Sequence, residues 1–116
     1  MSESASWRPF EGGSTLGLSG SQGGTITWDE EYGGQARLTL EQDESRSFHA
    51  ITCGITGWML HTRFFGGASE AFAAFEEMRP ALVELASRLP EGGPRNAQEG
   101  ARVGGPLLSA FLARFP

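Results

Sequence analysis

Hydrophobic spacing along this chain changes once, across Gly66-Gly67, from alternation to recurrence every three or four residues. Before the doublet, Thr25 to Phe65 reads as extended segments. After it, Phe72, Phe75, Met78, Leu82, Leu85 and Leu89 share one stripe of a helix. Strands first and a helix second is the α+β class, not a run of alternating β and α units. The expected architecture is a four-stranded antiparallel meander packed by a long kinked helix, with a short C-terminal helix.

The first two strands form a hairpin around Tyr32-Gly33-Gly34. A two-residue Gly-Gly turn sets Ile26 opposite Glu41 and mixes apolar with charged residues on one face. A three-residue loop with Gly34 in the left-handed conformation sets Ile26 opposite Leu40, Trp28 opposite Leu38 and Asp29 opposite Arg37. That register makes one face apolar and is the one expected. Glu41 to Ser47 reads as a solvated connection. Phe48 to Phe65 is too long for one ordinary strand, and Gly54-Ile55-Thr56-Gly57 marks a second hairpin. Pairing Gly54 with Gly57 puts Cys53 opposite Trp58, Ile51 opposite Leu60 and His49 opposite Thr62. Thr52, Met59, Ala50, His61, Phe48 and Arg63 then occupy the other face, where Met59, Phe48 and Phe65 point to association. A single long strand bent at its glycines is the alternative.

Ser69 is the expected N-cap of the helix, and the unbroken phase across Pro80 argues for one kinked helix over 70–89 rather than two. Residues 1–24 read as a flexible Gly/Ser-rich arm, with Trp7 and Phe10 as docking points, 25–90 as the α+β core and 91–105 as a linker. Residues 106–116 form a C-terminal amphipathic helix with Leu107, Leu108, Phe111, Leu112 and Phe115 on one stripe. So short a helix does not hold in water alone, so it docks on its own sheet or on a partner's. Leu108, Phe111, Leu112 and Phe115 are the expected interaction residues, and a flexible linker makes exchange between two copies inexpensive.

Charge narrows the partner class. Fourteen acidic residues against nine basic ones give a net charge of -5, and the nine arginines are scattered, so no basic stripe exists for phosphate backbones. All nine are arginine and none is lysine, which reads as GC-rich codon usage and a bacterial source. The start of the chain carries no basic segment followed by an apolar one, and no apolar run is long enough to span a bilayer. Cytoplasm is therefore the expected compartment, without membrane partners.

The single cysteine rules out an internal disulfide framework and a multi-thiolate zinc site within one chain. His49, Cys53, His61 and Arg63 are the candidates for chemistry, since a thiol beside an imidazole is the minimal activated nucleophile. In the expected register, however, His49 is about 13 Å from Cys53 along the strand, and His61 is on the opposite face. A buried cysteine and two sheet histidines is the plainer reading. Asp29-Glu30-Glu31 lacks the spacing of a calcium loop and reads as a solvated strand end with Asp29 paired to Arg37. The Gly-Gly doublets complete no phosphate loop in a chain without lysine, although the one at 66–67 precedes a helix N-terminus that could attract an anion.

No motif in the sequence names an activity. The pattern favours a protein-interaction or binding module acting as a homo-oligomer, most simply a dimer, with no cofactor and no metal. The alternative is a small-ligand-binding or enzymatic domain with a pocket near His49, Cys53, His61 and Arg63.

Overall fold

Both hairpins form where the alternation places them, but each closes in a register other than the expected one. The computed structural model describes residues 6–116, so residues 1–5 of the expected arm lie outside the described residues. Strand β1 (Trp7–Pro9) is followed by a 3-10 turn, β2 (Thr25–Tyr32), β3 (Ala36–Gln42), β4 (His49–Ile55) and β5 (Met59–Phe65). Helix α1 (Ala68–Arg88) comes next, then a short α2 (Ala97–Glu99), a π turn and α3 (Gly105–Arg114). The sheet is antiparallel with strand order β1-β2-β3-β4-β5.

The sheet has five strands where four were expected, because Trp7–Pro9 lies against the outer side of β2. A three-residue strand carries no readable alternation. Trp7 is fixed by tertiary contact, its ring 5.5 Å from that of Tyr32.

In the first hairpin the loop is Gly33-Gly34-Gln35, so Trp28 stands opposite Leu40 and Asp29 opposite Thr39. The two-residue displacement from the expected register preserves the faces, and the Asp29–Arg37 ion pair forms diagonally at 2.7 Å. A bulge at Thr27 then shifts the ladder, and Ile26 pairs with Glu41 after all. The bulge turns Ile26 away from Trp28 and onto the other face of the sheet.

The second hairpin is corrected further. Its loop is Thr56-Gly57-Trp58, with Gly57 at φ 81°, so that Ile55 pairs with Met59, Cys53 with His61, Ile51 with Arg63 and His49 with Phe65. The shift from the expected pairing is odd, and an odd shift exchanges the faces of a strand. Met59, His61, Arg63 and Phe65 therefore share the helix side with Cys53, while Leu60, Thr62 and Phe64 share the open side with Thr52.

Helix α1 is one helix through Pro80, as the unbroken phase requires, and it starts from Gly67 without a side-chain cap, not from Ser69. Ala71, Ala74, Phe75, Met78, Leu82 and Leu85 bury against Leu38, Leu40, Ile51 and Cys53. Trp28 lies flat on Phe75 with ring centroids 3.9 Å apart, and Phe72, expected on the buried stripe, is exposed beside it. Arg79 donates to Glu30 and its guanidinium lies over Trp28, tying the middle of α1 to β2.

Within the expected linker, Asn96 caps α2 through a 2.8 Å bond from the Glu99 N–H, and the helical backbone continues through 100–104 into α3. Trp58 holds this segment in place. Its indole N–H donates to the Pro90 carbonyl at 2.7 Å, and its ring packs on Gly104, where any Cβ would overlap it.

Phe75→Ala is expected to destabilise the fold by about 3 to 5 kcal/mol in denaturant melts, the range for a fully buried aromatic. The half-buried Trp28, changed to alanine, should cost less. Equal or reversed losses would contradict the stacked arrangement.

Candidate functional site

Of the four residues considered for chemistry, the register brings Cys53, His61 and Arg63 to one end of the helix side, with His49 on the same face one turn of the pleat further on. Cys53 and His61 are directly opposed in the ladder, a juxtaposition the expected register excluded. They form no thiol–imidazole hydrogen bond among the described residues. The His61 ring turns to the end of α3, its Nε2 2.7 Å from the Phe115 carbonyl oxygen. Arg63 Nε donates to the Pro116 oxygen at 3.3 Å, and its guanidinium lies 5.3 Å from the Phe115 ring. These side chains clasp the C-terminal residues against the sheet.

Cys53 is 0% exposed. Burial pushes its thiol up, the Arg63 charge opposes this weakly, and the result is about 12. A thiol so placed stays protonated near neutrality and has no path to substrate. His49 is buried between Gln42 and Phe65. Among the described residues no three His, Cys, Asp or Glu side chains gather as a metal site requires.

A concavity lies on the opposite face. A groove of about 580 Å³ runs between the open side of the sheet and the Ser19–Gln22 turn. Its floor contains a polar row across neighbouring strands, Thr39, Thr52 and Thr62, and in the ladder this row continues to the buried Asp29 of β2. Thr52 and Thr62 share a 3.1 Å hydroxyl contact, and Ser21 reaches Thr52 at 3.4 Å. Arg37, with Phe10 stacked 3.7 Å from its guanidinium, lines the groove in one cross-strand row with Gly54 and Leu60.

Two buried carboxylates hold the residues 14–24 over this face. Asp29 accepts from Thr15 at 2.8 Å, from Thr39 at 2.9 Å and from Arg37 Nε and Nη2 at 3.0 and 2.7 Å. Burial pushes its carboxyl up, but these bonds and the Arg37 charge outweigh burial and leave it below its ordinary value. Glu41, expected in a solvated connection, is 1% exposed and accepts from the Gln22 and Gly24 backbone N–H groups. A Cβ on Gly20 would overlap that carboxylate, so the glycine lets the turn sit down on it.

Two of the exposed apolar residues form a second feature, along β5. Leu60 is 80% and Phe64 57% exposed, and Phe48 packs edge-on to Phe64. Met59 and Phe65, expected on an association face, pack instead against the core. Helix α3 docks on its own domain: Phe111 and Phe115 are buried, Leu108 is half-buried and Leu112 is 38% exposed. The two-residue turn expected for the second hairpin hides Leu60 and Phe64 among the inward residues. The three-residue loop with a left-handed glycine, preferred for the first hairpin, would have put both on the open face.

Two outcomes follow from the buried groups. Asp29 has a lowered folded-state pKa, so its stabilisation is complete above about pH 4 and is lost as pH falls below that. Asp29→Asn is expected to lower stability at pH 7 and to flatten the acid limb of a melting-temperature profile; an unchanged limb would assign acid sensitivity elsewhere. The Cys53 thiol should react with an aromatic disulfide reagent only as fast as the protein unfolds, and rapid labelling of the native protein would contradict its burial.

Compared with known proteins, the chain matches no family model, no curated protein and no solved structure.

Proposed function

We propose that this chain is a protein-interaction module of a bacterial cytoplasm that acts as a homo-oligomer, and that the β5 edge is its contact. The observation that carries the reading is the unguarded state of that edge. A free strand edge presents unpaired N–H and C=O groups, and monomeric proteins blunt it with short strands, proline, lysine or inward charges. The β1 edge is blunted: it has three residues and ends in Pro9. The β5 edge is seven residues long, MLHTRFF, with no proline, lysine or carboxylate, and its one formal charge, Arg63, is drawn to the helix side by Pro116. Exposed Leu60 and Phe64 flank it, and apolar side chains concentrated beside a free edge mark an association surface.

A second reading, small-ligand binding, is favoured by the groove at Thr39, Thr52 and Thr62, whose size suits a small molecule. Its Thr39 hydroxyl donates to Asp29, a carboxylate that Arg37 and its other hydrogen bonds hold below its ordinary value and so make a poor base, which favours binding over catalysis. No helix among the described residues is long and apolar enough to cross a membrane.

Light scattering at high micromolar concentration is expected to give a mass above that of one chain. Leu60→Glu combined with Phe64→Glu should weaken the association at least tenfold while leaving the melting curve of the monomer nearly unchanged, since both side chains are exposed. A monomer at that concentration overturns the interaction reading in favour of the groove.

A further inference from the structure

Resting on the homo-oligomeric reading, we infer that the partner of β5 is β5 of a second copy, paired antiparallel about a two-fold axis through Thr62, so that two five-stranded sheets join into one. Antiparallel pairing of identical strands by a two-fold normal to the sheet keeps each copy's faces on the same side. Such an axis must pass through a residue of the strand, because residues directly opposite each other share a face.

The strand then selects the residue. Thr62 is the middle of Met59–Phe65, so an axis there pairs the whole strand with itself. On the open face it sets Leu60 of each copy opposite Phe64 of the other, matching the two exposed apolar side chains twice. On the helix side Arg63 meets His61, and no residue meets its own charge. Moving the axis to Arg63 confronts the two guanidinium groups and leaves Leu60 opposite Gly66. Moving it to His61 puts Leu60 opposite Thr62 and carries Phe64 out to the loop residue Trp58. Charge and apolar matching therefore choose the same axis.

Helix α3 supplies an independent observation on the same side of the molecule. Leu108, Leu112 and Phe115 recur at helical spacing on one flank. Leu108 lies with Trp58 against Gly104 at one end, and Phe115 lies against His61 and Arg63 at the other, so this flank runs alongside β5. Leu112, between them, is the residue the domain leaves open. The apolar exposure thus continues from the open face of β5 round the free edge to the helix layer, as an isologous contact between two α/β layers requires.

The experiment uses the full chain carrying Thr62→Cys, checked for a native circular dichroism spectrum, with light-scattering mass and mild oxidation read on a non-reducing gel. Opposed residues at a two-fold are close enough for a disulfide or a short bismaleimide bridge. The expected result is a dimer in which Thr62→Cys links nearly completely, whereas the native chain, with Cys53 buried, does not. Leu60→Cys and Phe64→Cys, both at exposed positions, should link when mixed and much less when alone. A dimer in which Thr62→Cys stays unlinked and the mixed pair links no better than either variant alone overturns this pairing while leaving a homo-oligomer through another surface. A monomer at high micromolar concentration overturns both.

Discussion

One layer of helix has to serve a sheet with two faces, and most of the structure is a response to that constraint. On the helix side the answer is conventional burial: Leu38, Leu40, Ile51 and Cys53 against Phe75, Met78 and Leu82, with Trp28 stacked on Phe75 and α3 closing the flank. Such packing removes apolar surface from water at roughly 25 cal/mol per Å² and supplies most of the driving force. The other face cannot be apolar without a second layer. The chain makes it polar along the row Asp29, Thr39, Thr52 and Thr62 and covers part of it with residues 14–24.

That cover is held by charge as much as by shape. Neither the Gly- and Ser-rich segment nor the turn at Ser19–Gln22 has apolar side chains enough to bury itself. It is fastened because Glu41 and Asp29, both buried, need hydrogen-bond donors, and its backbone and Thr15 provide them. A buried carboxylate without partners is strongly unfavourable, so each side stabilises the other. What remains uncovered is the β5 end of the open face, where Leu60 and Phe64 stand beside the free edge. The interaction reading rests on this remainder. A chemical reading finds less support, since Cys53 is sealed in the core and His61 and Arg63 are engaged with the C-terminal residues.

The sequence by itself determined the class of fold, the existence of both hairpins, the continuous helix through Pro80 and the docking of a C-terminal amphipathic helix. Each of these is written in a local period or in a composition, and a period of two or of three to four survives any detail of register. It also determined the Asp29–Arg37 pairing, since the first hairpin is displaced by two residues and an even displacement keeps Asp29 and Arg37 on one face. Tertiary structure alone decided what a single odd displacement controls. The loop at Thr56-Gly57-Trp58 turned β5 over, which brought His61 opposite Cys53, sent Met59 and Phe65 inward and left Leu60 and Phe64 outside. It decided as well that Trp7–Pro9 would become a fifth strand, that Thr27 would bulge and that Glu41 would be buried, because each depends on contacts between residues distant in the chain, and local spacing holds no information about which distant donor a carboxylate or a strand edge will meet.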